Sequence, residues 1–256
     1  MSGLLLRLAG PLQSWGERSA FTPVRDTAPF PTRSALIGMF AAAEGIGRDE
    51  GGLDRYDDLR ITIRVDRPGI RLTDYHTVGG GQPKARTAAT SGGSNKGAAV
   101  ITRRHYLSDA VFVIAVHGPE QTVTPLATAL RRPHWAPYLG RRSCPPDEPF
   151  LLRSHTPDPE EELLTRVPLS RPAPTGNHAD TVGVEFLREH PPFDDVAAPA
   201  DSIDINDIPV SFSPHGRSHR TRRLYRSVEQ LPSSLTGPQH TLLQRLIDYA
   251  HTEDTA

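Results

Sequence analysis

An α+β fold built on an antiparallel sheet is predicted by three features of this 256-residue chain. Strand-like and helix-like stretches alternate through residues 1–150 in the order strand, helix, strand, hairpin arm, strand, helix, with a further strand expected next. A long hairpin with a glycine-rich, basic middle interrupts that order. Beyond Phe150 the text turns acidic and proline-rich, with short strand candidates only. Together these describe a ferredoxin-like (modified RNA-recognition-type) domain over residues 1–150 with a basic thumb hairpin inserted at about 78–101. A smaller β-rich lobe would follow over 151–235, then a C-terminal helix and tail over 236–256.

Leu4 to Leu8 is a short apolar strand ended by Gly10 and Pro11. Gln13, Ser14, Trp15 and Gly16 make a polar turn with one aromatic, which either caps the core edge, the commoner role, or offers a platform to a base or ribose. Residues 29–45, PFPTRSALIGMFAAAEG, form the clearest helix: Thr32 is placed as N-cap, Leu36, Ile37, Phe40 and Ala41 share one face, and Gly45 stops it. Arg33 and Ser34 lie in its first turn, where free N–H groups and the helix dipole favour an anion such as phosphate. An Arg at that position is also often a plain solvated side chain. Arg60 to Val65 alternates as a half-buried strand.

The hairpin runs from Arg71 to Leu107, with strand-like ends and a tip from Gly79 to Gly97 that lacks any apolar face and reads as mobile. Ser108 to His117 is a continuous apolar strand, and Thr124 with Pro125 opens a short helix through Leu130. The segment 137–146, PYLGRRSCPP, places Gly140, Arg141, Arg142, Ser143 and Cys144 between prolines. It is either a tight turn whose amides and guanidinium groups converge on a phosphate or a surface turn with incidental arginines and a small buried cysteine. Cys144 as a nucleophile would need a base that only the fold could bring, from His134 or His155. Further strand candidates are Thr165 to Leu169, Thr181 to Leu187 and Ile208 to Phe212, and Thr236 to His251 is an amphipathic helix that docks on the core or on a partner.

The net charge of −1 conceals strong segregation. Residues 60–107 carry nine Lys or Arg against two acids, 131–142 carry four Arg and no acid, and 208–226 carry five Arg and no acid. Between the last two, residues 145–207 hold fourteen acids against four Arg. One surface for a polyanion and one for solvent or a protein are implied. The basic stretch 211–226, interleaved with Phe212 and Tyr225, is an RNA-facing strand or a disordered arm. Arg outnumbers Lys almost everywhere, which suits bidentate phosphate contacts and stacking on bases, although a compositional bias of the genome gives the same excess.

The single cysteine, Cys144, excludes an internal disulfide and a multi-cysteine zinc site, and no cofactor is expected. The first residues, MSGLLLRLAGP, fit neither a signal peptide nor a membrane span, so a cytoplasmic location is expected.

Taken in order, LLLRLAGPLQSWG, RDTAPF, FPTRSALIGMFAAAEGIGRDE, LTDYHTVGGG, RRHYLSDAVFVIAV and YLGRRSCPP resemble the CasD subunits of type I-E CRISPR Cascade complexes, within the repeat-associated mysterious protein superfamily. The likeness runs from Leu4 to about Tyr225. It implies a modified RNA-recognition fold with a projecting thumb and a smaller second lobe. It also implies a non-catalytic subunit that binds and caps the 5′ handle of the CRISPR RNA in antiviral defence. The partners implied are the adjacent backbone-filament subunit and the large target-recognising subunit, with an indirect contact to target DNA and none to membrane. The matching positions are Gln13, Trp15, Arg33, Ser34, Asp74, Tyr75, His76, Arg103, Arg104, Tyr106 and Gly140 to Cys144, and the basic tip adds Lys84 and Arg86 as RNA contacts. The alternative is a metal-independent endoribonuclease drawing its acid, base and cation from His76, His105, Tyr106, Lys84 and Lys96.

Overall fold

The computed structural model describes residues 2–16, 23–79, 99–172, 180–191, 201–213 and 216–252. The hairpin tip with Lys84, Arg86 and Lys96 lies outside them.

The fold is mixed α+β with antiparallel sheets. Strand β1 (Ser2–Ala9) is buried along its whole length, as its run of leucines requires. Leu4, Leu6 and Leu8 join one core, and Leu5 joins another on the opposite face. Helix α1 (Arg33–Glu44) has Thr32 as its N-cap, accepting from the Ala35 N–H, and Gly45 in the left-handed region as its C-cap. Strands β4 (Arg60–Arg67) and β7 (Val111–Gly118), helix α2 (Glu120–Arg131) and strand β8 (Leu151–Thr156) complete the first half. Helix α2 begins a turn earlier than the sequence predicts. Pro125 sits inside it rather than at its start, because Val123 already belongs to the buried face with Leu126, Ala127 and Leu130.

The later part adds helix α3 (Pro159–Thr165), strands β9 (Thr181–Arg188), β10 (Asp201–Ser211) and β11 (Ser218–Pro232), and helix α4 (Leu242–His251). The strand expected at Thr165 to Leu169 is instead the end of α3 and a buried loop, in which Val167 and Leu169 supply apolar contacts without ladder pairing. Residues after Phe150 do not build a sheet of their own. One seven-stranded sheet runs β10-β11-β9-β4-β7-β1-β8, antiparallel throughout, with β9 paired to β4 and β8 to β1. Helices α1 and α2 belong to the core on one face, while α3, α4 and the 163–169 loop fill the other. The face that an RNA-recognition-type sheet leaves open is therefore covered by the same chain.

The second sheet carries the hairpin. Strands β5 (Ile70–Val78) and β6 (Val100–Ser108) pair antiparallel in continuous register, from Ile70 opposite Ser108 to Val78 opposite Val100. Two short strands brace β6: β2 (Leu12–Gln13) antiparallel at its end and β3 (Val24–Arg25) parallel at Arg103 and Arg104.

Candidate nucleic-acid interface

The candidate interface lies where the 12–16 turn, the β5–β6 hairpin and the Gly140 loop meet, with Arg141 as the junction. Its Nε donates to Ser14 Oγ at 2.9 Å, and Ser14 Oγ in turn donates to the His105 carbonyl at 2.9 Å. The guanidinium stacks 4.8 Å from the centre of the Tyr106 ring and reaches the Arg25 carbonyl at 3.4 Å. Four segments distant in sequence are thus tied by one half-buried cation.

The loop holding Arg141 is pinned at both ends. The Ser14 N–H donates to the Leu139 carbonyl, and the Leu139 N–H to the Cys144 carbonyl at 2.7 Å. Gly140 has φ of +80°, and a Cβ there would lie 1.8 Å from the Ser14 carbonyl oxygen. Arg142 and Ser143 consequently face solvent while Cys144 turns into the core. Burial pushes the Cys144 thiol above its ordinary value, which keeps it protonated and unsuited to nucleophilic attack.

Pleat alternation divides the hairpin into two faces. Arg71, Thr73 and Tyr75 share one with Arg103 and His105; Leu72, Asp74 and His76 share the other with Arg104 and Tyr106. Tyr75 is 63% exposed, with the Arg103 guanidinium 5.5 Å from its ring centre. On the opposite face, His76 Nδ1 lies 3.5 Å from the Asp74 carboxylate and Arg104 Nε donates to Thr102 Oγ1. His105 meets Arg71 side chain to side chain, and desolvation followed by the Arg71 and Arg141 charges holds its imidazole below its ordinary value.

Several residues expected at the ligand face inward instead. Trp15 is fully buried, so it cannot serve as a base platform: its indole N–H donates to Gln13 Oε1 within the core. Gln13 spends its amide on the Leu8 and Ala110 carbonyls at 3.0 and 2.8 Å, which locks the turn to β1 and the 108–111 corner. Tyr106 is only 6% exposed and supports Arg141 rather than stacking on a base.

Arg33 is also corrected. Its guanidinium is buried, donating to the Leu59 and Tyr56 carbonyls and to Glu189, and its backbone N–H donates to Asp207 Oδ2 at 2.6 Å. The helix start does hold an anion, as dipole and free amides require, but that anion is the chain's own Asp207. Arg222 closes the network on Asp207 and Glu189, and Ser34 contacts His219 at 3.2 Å. The basic β11 stretch is likewise matched by local acids: Arg220 pairs with Asp57, Arg223 with Asp204, and Arg226 with Glu185 and Asp201.

Ser14 escaped the sequence-based assignment. Its position between Gln13 and Trp15 was the available signal, but its role depends on Arg141, 127 residues away. Among the described residues no group of three or more His, Cys, Asp or Glu is arranged to hold a metal, and no helix is long and apolar enough to cross a membrane.

The family described as CRISPR-associated protein (Cas_Cas5) matches residues 3–225. The CRISPR system Cascade subunit CasD of Escherichia coli (strain K12) is 38% identical over 198 residues, 69% of this chain and 84% of its own length. A chain of a solved CRISPR RNA-guided surveillance complex is 45% identical with a TM-score of 0.86, over 97% of this chain and 99% of its own. The crystal structure of a Cas protein is similar at 28% identity and a TM-score of 0.59, over 91% of this chain and 97% of its own. A family match across most of the sequence, joined to a near-complete structural likeness, places this chain in the CRISPR-associated Cas5 family.

Proposed function

We propose that the chain is a non-catalytic RNA-binding subunit of a type I-E Cascade surveillance complex, acting in the cytoplasm in antiviral defence by binding and capping the 5′ handle of the CRISPR RNA. The observation that carries this reading is the Arg141 junction, which holds a solvent-facing Gly-Arg-Arg-Ser loop against a projecting basic hairpin in a chain of the Cas5 family.

Arg142 and Ser143 in the loop, and Tyr75, His76, Arg103 and Arg104 on the hairpin, contact the RNA. Arg141, Gln13, Trp15, Tyr106 and Cys144 position them from behind, and Arg33 with Ser34 stabilises the helix start. The thumb tip, with Lys84 and Arg86, extends the cationic path and leans on the neighbouring backbone subunit. The large target-recognising subunit, and through it target DNA, lies beyond the second half of the chain. The ferredoxin-like description is supported by the strand order β4-β7-β1-β8 with helices following β1 and β7, and by the insertion of the hairpin between β4 and β7.

The geometry does not favour an endoribonuclease. His76 and His105 stand on opposite faces of the hairpin and cannot address one phosphate as acid and base. The Tyr106 hydroxyl belongs to a buried side chain.

The test mixes the metal-free protein with labelled CRISPR RNA carrying or lacking its handle, at several salt concentrations, beside Arg142→Ala, Arg103→Ala and Arg104→Ala variants. Handle-dependent, salt-sensitive binding with the RNA left intact is expected, weakened in Arg142→Ala, and the two hairpin variants identify the face that RNA follows. Cleavage at the repeat would transfer the assignment to the nuclease. Absence of handle preference would remove the capping role.

A further inference from the structure

The chain has two tryptophans, and the fold treats them oppositely. Trp15 is fully buried, whereas Trp135 is 48% exposed. Trp135 is nonetheless firmly held. Its backbone N–H donates to the Ala42 carbonyl at 3.2 Å and that of His134 to the Ala43 carbonyl at 2.9 Å, so the segment satisfies carbonyls at the end of α1. Pro133 and Pro137 restrict the backbone on either side. The His134 ring meets the indole edge-on, with centroids 4.5 Å apart and planes at 87°, and itself rests against Gly45, where a Cβ would come within 3.1 Å of it.

A large ring fixed in this way while open to water suits a ligand that can lie flat on it. The surrounding chemistry selects the ligand. Residues 131–142 contain four Arg and no acid, and Arg132 and His134, which flank the ring in sequence, are exposed. Cations close in sequence to a rigid exposed aromatic match the way single-stranded nucleic acids are bound, with the backbone following charge and a base stacking on the ring.

We propose that Trp135 is a stacking platform for an unpaired base of single-stranded RNA, with Arg132 on a neighbouring phosphate. The inference rests on the RNA-binding reading above and adds a contact outside the hairpin and the Gly140 loop.

Trp15 also emits but is buried away from any ligand, so the part of the emission that Trp135→Phe removes is the part that reports on Trp135. Handle-bearing RNA is titrated into the wild-type protein, Trp135→Phe and Trp135→Ala, following intrinsic emission in parallel with the anisotropy of labelled RNA. The anchoring hydrogen bond is made by the backbone, so both variants keep it, and circular dichroism checks their folding. Wild-type emission should be quenched as RNA saturates the protein. Affinity should fall about tenfold in Trp135→Ala and stay within about threefold in Trp135→Phe, which retains a stacking face. Unchanged emission at saturation together with unchanged affinity in Trp135→Ala overturns the platform while leaving handle binding intact. Emission that responds only to protein subunits assigns the ring to a protein contact and also overturns it. A wild-type chain that binds no RNA at any salt concentration overturns both proposals.

Discussion

Gly140 meets two demands that no other residue type satisfies together: a positive φ, and a Ser14 carbonyl so close that a Cβ has no room. Gly140→Ala should therefore cost about 1–2 kcal/mol for the left-handed backbone alone, and more for displacing the 12–16 turn. Denaturant unfolding would measure the loss. RNA affinity should fall with it, since Arg141 then loses its seat on Ser14; full stability in the variant would show that the loop shifts freely. The sequence made this glycine legible as part of a tight turn, but not which backbone it approaches. Nor does the Gly-Arg-Arg-Ser-Cys pattern reveal that Arg141 turns inward and Arg142 outward. That choice is made by Ser14 and Tyr106, which sequence distance hides.

Helix α1 was legible at both ends because its stop signals are local: a Thr side chain on an early amide and a glycine able to adopt positive φ. The occupant of its N-terminus was not, because Asp207 arrives from β10, 174 residues away. The same limit applies to β11, whose arginines read as an RNA-facing strand or a disordered arm until β10, β9 and the 57-loop supply carboxylates. Glu189 lies between Arg33 and Arg222 at 2.7 and 2.8 Å, with both guanidinium groups mostly buried. Glu189→Ala should leave the buried Arg33 guanidinium without its carboxylate and Arg222 with Asp207 alone, and destabilise the protein by about 3 kcal/mol or more. By contrast Arg142→Ala, at a solvent-facing position, should change stability by no more than about 0.5 kcal/mol while weakening RNA binding. Urea midpoints measured beside RNA affinity separate the two effects. A Glu189→Ala protein with wild-type stability would mean that the network contributes nothing to the fold.

The seven-stranded sheet was legible strand by strand in its first half, since β1 and β7 announce themselves by apolar runs and β4 by alternation. Its second covered face was not, because α3 and α4 are short and their docking partners are far away in sequence. The C-terminal helix, read as resting on the core or on a partner, rests on the core: Tyr249, Leu246 and Leu242 pack with Leu5, Val113 and Phe186. Its polar anchor is Glu162. That carboxylate accepts from Thr156 and Tyr249 and pairs with Arg153, whose guanidinium stacks 4.1 Å from the centre of the Tyr249 ring. Burial acts to raise the Glu162 carboxyl, but the Thr156 and Tyr249 hydroxyls and the Arg153 charge outweigh it and hold it below the usual carboxylate range. A depressed folded-state value means that the stabilisation is complete above the unfolded carboxyl's range, near about 4.3, and is lost as pH falls through the lower folded value. Glu162→Gln should thus be less stable than wild type near neutral pH, with the gap narrowing in acid as the wild-type carboxyl takes up its proton. Urea unfolding of both proteins from about pH 7 down to about pH 3 measures that gap. A gap that stays constant across the series would mean that the charge on Glu162 does not hold α4 to the sheet.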